Sequence, residues 1–163
     1  LLNTLPLSHI ILHPRLGKQQ YKGEVDLNGF EAFYHGCDKP LLYNGDLHTI
    51  EDIQTVAERF PRLAGVVIGR GLLATPALAW EYQQNRKLSP DEMLSKVKQL
   101  HTAIYNSYEE QLQGGETQLL MKMKNFWEYL LPNGNRKAKK TIHKTSKLTN
   151  YRIAVNDLLS SYQ

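Results

Sequence analysis

The sequence predicts two kinds of chain in series: an α/β region of strand–helix units, then an all-helical region. Three observations predict this. Short continuous apolar runs start near positions 8, 41 and 64, with helical patterns between them; strands that are apolar on both faces belong to parallel sheets covered by helices. From residue 90 onward, apolar residues recur only at helical spacing. Charge changes at the same place. Residues 1–89 carry nine Lys and Arg against nine Asp and Glu, whereas 90–163 carry eleven against seven and supply all of the net +4.

Ser8 to His13 reads as the first strand. Asp26 is positioned to cap a helix through Phe30 and Tyr34 that closes at Gly36. Leu41-Leu42-Tyr43 is the second strand. Thr49, with Asp52 three residues on, has the form of a capping box, and Ile50, Ile53, Val56, Ala57 and Phe60 then share one helical face as far as Pro61. Ala64 to Ile68 is the third strand. Strands at these spacings suit a barrel or a doubly wound sheet. Ser89-Pro90-Asp91-Glu92 opens the helical region with a cap, a first-turn proline and two acids that complement the helix dipole. Helices are expected from there to Tyr108, over Thr117–Leu131, over Arg136–Lys144 and over Asn150–Tyr162, making a small bundle. The polar stretch from Gln84 to Ser89 places the domain boundary, giving 1–87 and 88–163.

Several classes are excluded. No window approaches the roughly 18 unbroken apolar residues of a membrane span, and Leu1-Leu2-Asn3-Thr4 lacks the basic start of a signal peptide. Cys37 is the only cysteine, so no internal disulfide framework exists, which fits a reducing, cytoplasmic setting. The six histidines are scattered without metal-ligand spacing, so no metal is expected. The chain does not begin with Met and is expected to be a fragment. Residues 118–163 hold nine basic residues against two acidic, the footprint of a nucleic-acid partner or of a solvated basic surface.

In parallel α/β folds, ligands bind at the carboxyl ends of the strands. Here those ends are His13-Pro14-Arg15, Asn44-Gly45-Asp46 and Gly69-Arg70-Gly71. Glycines at 45, 69 and 71 permit close backbone approach. Exposed N–H groups at neighbouring turns, beside a helix start, cradle anions, and Arg70 adds a planar fork for phosphate oxygens. The loops after strands 7 and 8 of a TIM barrel form such sites. The alternative is that both motifs are plain tight turns; two in series favour a phosphate site. His13 would contact the ligand, donating to a polar ring atom. Arg15, two residues on, would meet a substrate phosphate. Cys37 lies at the amino end of its strand and is expected to be structural.

Together, His13-Pro14-Arg15 with Tyr21-Lys22-Gly23, Pro40 to Leu47 and Gly65 to Pro76 resemble the tRNA-dihydrouridine synthase family, with Pro14 and Leu16 departing from its usual His-Gly-Arg-Thr. The resemblance spans the chain but only the carboxyl-terminal half of the family's length. It implies a partial TIM barrel, the last three βα units, followed by an all-α helical bundle that binds tRNA. It implies FMN as cofactor and NADPH as reductant for converting uridine to dihydrouridine. Carried over, Asn44, Gly45, Asp46, Gly69 and Arg70 would hold the FMN phosphate and His13 would touch the flavin. Arg15, Lys122, Lys124, Arg136, Lys139 and Lys140 would meet tRNA.

The family's catalytic cysteine, in an Asn-x-Gly-Cys-Pro motif, is absent, as is its flavin-binding lysine. A complete barrel needs about 200 residues or more. The chain is therefore expected to be inactive alone, and its open sheet edges would favour self-association. Two other classes fit part of the pattern. One is a different phosphate-binding barrel enzyme, such as an aldolase or isomerase, and the other is a non-catalytic RNA-binding module.

Overall fold

A computed structural model describes residues 1–162. Two compact units divide the chain, Leu1–Leu72 and Leu73–Gln163.

The first unit is α/β. Strands β1 (Ile10–Leu12), β2 (Leu41–Asn44) and β3 (Gly65–Val67) form one sheet in the order β1-β2-β3. All pairs are parallel, with Ile10 opposite Leu41 and Leu42 opposite Gly65. Helix α1 (Leu27–Gly36) links β1 to β2. It starts where expected, because the Asp26 carboxylate accepts the Gly29 N–H at 2.8 Å. Helix α2 (Ile50–Arg59) links β2 to β3. Thr49 Oγ1 accepts the Asp52 N–H, and the Asp52 carboxylate accepts the Thr49 N–H at 2.9 Å, so an aspartate closes this capping box where glutamate is usual. The helix faces meet over aromatic rings: Phe30 packs edge-on against both Tyr43 and Phe60 with centroids 4.9 Å apart. Such pairs add to the area term of burial. Cys37 is buried in the α1–β2 loop.

The second unit contains only helices among its described residues. After α3 (Arg70–Ala74), which spans the division, come α4 (Leu78–Gln84), α5 (Pro90–Gln111), α6 (Gly115–Phe126), α7 (Arg136–Lys144) and α8 (Leu148–Ser160). The Ser89–Glu92 capping box opens α5. Helices α5 to α8 converge on one cluster that includes Val97, Met123, Trp127, Ile142, Tyr151 and Leu158, each fully buried. At its centre the Tyr151 hydroxyl accepts the Trp127 indole N–H at 2.8 Å and shares a hydrogen bond with His101 Nε2 at 2.8 Å.

Three elements differ from the sequence expectation. Helix α6 ends at Phe126 rather than Leu131, because Leu131 adopts φ +51° and the apolar pattern runs on through a turn whose Leu130 and Leu131 are both buried. Helix α3 opens at Arg70, where glycines on both sides concealed a helix start, and α4 follows it. The compact units part before residue 73, not near 87, since Ala77 and Leu88 pack against the helical cluster. No helix among the described residues is long and apolar enough to cross a membrane.

Burial holds the His101 imidazole down to about 4, from an ordinary 6.5. A base depressed on folding is neutral in both states above 6.5, takes up its proton first in the unfolded chain, and so loses its contribution as pH falls from 6.5 towards 4. Discounted for partial solvent screening, the loss is roughly 2 kcal/mol. Urea midpoints measured by circular dichroism at pH 7 and pH 4.5 are expected to show it, and His101→Phe to reduce it.

Candidate anion site at the strand ends

All three strands run in the same direction, so their carboxyl ends gather at one edge of the sheet. A cleft of about 210 Å³ opens there, lined by His13, Tyr21, Asn44, Asp46, Leu47, His48, Val67, Gly69, Arg70 and Gly71. Residues from after β1, after β2 and after β3 therefore meet in one place.

The electrostatic centre is a triad. Asp46 Oδ2 accepts from Arg15 Nη2 at 2.5 Å, and Asp46 Oδ1 accepts from Arg70 Nη2 at 2.9 Å. Arg15 also donates to the Gly23 carbonyl at 2.7 Å, and its side chain is only 2% exposed. Burial pushes the Asp46 carboxyl up, but the Arg15 hydrogen bond and the charges of Arg15, Arg70 and His48 outweigh it and hold it below its ordinary value. Asp46 is thus an anion under ordinary conditions, and with two arginines the triad carries one net positive charge. Arg70 is about one-third exposed and lies 4.2 Å from the centre of the Tyr21 ring. Its position is fixed by a charge on one side and a π face on the other, which leaves further N–H groups for an anion.

Each glycine at the strand ends has its own reason. A Cβ on Gly71 would fall 2.0 Å from the Leu47 carbonyl oxygen, so glycine is required for α3 to begin against the β2–α2 loop. A Cβ on Gly45 would meet the Tyr43 hydroxyl at 2.8 Å and Val25 at 3.1 Å. Gly45 is buried and does not line the cleft, so the expectation that it lets a ligand approach gives way to packing within the protein. Gly69 does line the cleft, and a Cβ there would meet nothing within 4 Å. That is the space an anion would take.

His13 lines the cleft. Its Nδ1 donates to the Asn44 carbonyl at 2.5 Å, which places the proton of the neutral ring on Nδ1. Neutral His13 therefore offers Nε2 to a ligand as an acceptor, and it donates there only as imidazolium. Tyr21 and His48 were missed as cleft residues. Nothing in their spacing marks them, because Tyr21 comes from the β1–α1 connection and His48 from the residue before a helix cap.

Residues 7–163 match the family model described as dihydrouridine synthase (Dus). The chain belongs to the dihydrouridine synthase family. It is also similar to two proteins named probable tRNA-dihydrouridine synthase, from two strains of Helicobacter pylori. One match is 24% identical over 90 residues, covering 55% of this chain and 27% of the relative. The other is 25% identical over 85 residues, covering 52% and 26%. The matched part is about a quarter of those relatives' length.

The basic residues of the helical unit expected to meet tRNA fall into two groups. Lys122, Arg136 and Lys140 are exposed to solvent. The other two lysines are engaged inside the helical unit: Lys124 Nζ donates to the Thr145 carbonyl, and Lys139 Nζ donates to the Leu130 carbonyl at 2.5 Å. Burial lowers the Lys139 ammonium below its ordinary value. Arg15, enclosed with Asp46, is likewise turned away from any solvent-side partner. Among the described residues there is no cluster of His, Cys, Asp and Glu able to hold a metal ion.

Proposed function

We propose that this chain is the cofactor-phosphate and tRNA-binding part of an FMN-dependent tRNA-dihydrouridine synthase, an oxidoreductase that uses NADPH to reduce uridine in tRNA. The observation that carries this is the meeting of the Asn44–Asp46 and Gly69–Gly71 turns with Arg70 in one cleft, in a chain that belongs to the family. The residues fit the phosphate end of FMN. Open space stands before Gly69, the triad carries net positive charge, and the cleft is the size of a phosphate group and its linker rather than of a whole flavin.

When bound, FMN supplies the hydride chemistry. Arg70 and the backbone around Gly69 hold the phosphate, with Asn44 beside them. Asp46 does not face the phosphate with its charge, which would repel it. Asp46 and Arg15 instead set the angle of the Arg70 guanidinium. His13 presents Nε2 toward the flavin end. Cys37 serves no proton transfer here: it is 6% exposed and precedes β2, at the opposite end of that strand from the cleft. The proton donor thus comes from outside these residues, as expected if the three βα units are the end of a TIM barrel. β1 and β3 are the outer strands, with no further strand partner among the described residues, and neighbouring barrel strands or a second copy would cover them. The helical unit is read as the tRNA-binding bundle, and the setting as cytoplasmic.

Contact with tRNA is assigned to Lys122, Arg136 and Lys140. Each phosphate contact adds roughly one to the slope of log affinity against log salt. Lys140→Ala and Arg136→Ala are each expected to lower that slope by about one. Lys139→Ala is expected to destabilise the fold with little change in slope, because its ammonium serves the Leu130 carbonyl. A salt-independent affinity for tRNA would contradict the assignment. The activity itself is tested by incubating the product of the complete gene with NADPH and an unmodified tRNA transcript. A two-hydrogen mass gain on a uridine is expected; its absence in an FMN-loaded protein would refute the proposal.

A further inference from the structure

Trp80 lies on α4 with 43% of its surface exposed, a large apolar area left in water. The Arg86 guanidinium stands 5.3 Å from the centre of its ring. Arg86 is held in place by Glu92, whose two carboxylate oxygens accept its two terminal nitrogens at 3.2 and 2.8 Å. The local backbone builds this arrangement. Asn85 adopts φ +47° and ends α4, and the buried Glu81 carboxylate accepts the Leu88 N–H at 2.8 Å, which fixes the returning chain. Between α4 and α5 lies a groove of about 540 Å³, within the size range of small-ligand sites. Its α5 wall presents Ser95, Lys96 and Gln99, three, four and seven residues after Glu92 and therefore on one helical face.

We infer that this groove seats an unpaired nucleobase of an RNA strand. The base ring stacks on Trp80, the phosphodiester faces Lys96 and Arg86, and Ser95 and Gln99 meet the base edge. The inference rests on the RNA-binding part of the function proposed above and adds a second, chemically different contact to the basic residues of α6 and α7. Arg86 pairs with Glu92, and Lys96 stands beside that pair on the exposed face of α5, a second cation for a phosphodiester. A helix of another protein docks through rows of aliphatic side chains. Here Pro76, Ala77, Leu88 and Leu100 form a partly buried floor, and the exposed large apolar group is one flat aromatic ring, with two cations, a carboxylate, a hydroxyl and an amide around it. That is the composition of single-strand stacking platforms, which accept any base because every base has a π face.

The chain reports on this site directly. It has two tryptophans, and Trp127 is fully buried, so quenching by acrylamide reads Trp80. The probes are a single-stranded adenosine octanucleotide and a blunt RNA duplex of the same length. The single strand is expected to protect Trp80 from acrylamide, and the duplex, which has no free base, to bind without protecting it. Trp80→Ala is expected to weaken single-strand binding about tenfold, by the usual size of one base–aromatic contact, and Trp80→Phe to retain most of it. Lys140→Ala should weaken both RNAs. Equal acrylamide quenching with and without bound single strand, or unchanged affinity in Trp80→Ala, would overturn the inference while leaving RNA binding through α7 standing. Protection that appears without RNA and rises with protein concentration would also overturn it, and would make this face a contact between copies. Failure of either RNA to bind at low salt would refute the RNA reading as a whole.

Discussion

Arg15→Met is expected to lower the stability of the chain by roughly 2 kcal/mol and to weaken the binding of phosphate-bearing ligands about tenfold or more. Methionine keeps most of the side-chain volume but removes the charge and five N–H donors. Asp46 then has Arg70 as its remaining cation, so Arg70 is drawn toward the carboxylate and the triad falls from one net positive charge to none. Removing one partner of a fully buried ion pair costs more, about 3–5 kcal/mol. Two features reduce the effect here. Asp46 is 31% exposed, and Arg15 Nε is a buried donor with no hydrogen-bond partner among the described residues, which the substitution relieves. Arg15→Lys keeps the charge without the fork and should fall between the two. The sign with pH follows from the lowered Asp46 carboxyl. The ion-pair contribution is present above the ordinary value of 3.8 and is lost as pH falls below it. Thermal denaturation and a titration with FMN measure both effects. A variant within about 0.5 kcal/mol of the parent, with unchanged FMN affinity, would refute the role given to Arg15.

The second large effect is expected at Trp127. Its side chain is fully buried among α5, α6 and α8 and donates its N–H to Tyr151. Trp127→Ala removes the largest fully buried side chain and is expected to cost about 3–5 kcal/mol, unfolding the helical unit at a much lower urea concentration. Trp127→Phe should restore most of the packing while leaving the Tyr151 hydroxyl one donor short, a loss of about 1–2 kcal/mol. Far-ultraviolet circular dichroism follows both, since it does not depend on tryptophan emission. Near-parental stability of Trp127→Ala would mean that the cluster is not the core of this unit.

The strands and helices that the sequence made legible are those with local signals. Asp26, Thr49 with Asp52, and Ser89 with Glu92 each mark a helix start by side-chain chemistry that needs no tertiary partner, and each occurs in the structure. The parallel sheet was legible because its strands are apolar without alternation. Helices α3 and α4 were not, because Gly69, Gly71 and Pro76 are turn formers whose context decides otherwise. At the site, the clustering of three strand ends followed from topology. What each side chain does there did not. Arg15 and Asp46 look like ligand-binding residues in sequence, and only their 2.5 Å contact shows that they hold each other. Lys124 and Lys139 are indistinguishable in sequence from their exposed neighbours, yet their ammonium groups end on carbonyls that lie distant along the chain or beyond a turn.

The cleft at the strand ends is proposed to hold the phosphate of FMN. The most direct test is to purify the product of the complete gene, denature it and identify any released chromophore by visible absorbance and mass. FMN is expected in the parent protein and a clear loss of it in Arg70→Ala, with the fold retained by circular dichroism. A colourless parent protein that cannot be reconstituted with FMN, or an Arg70→Ala variant that holds FMN as tightly as the parent, would contradict the account.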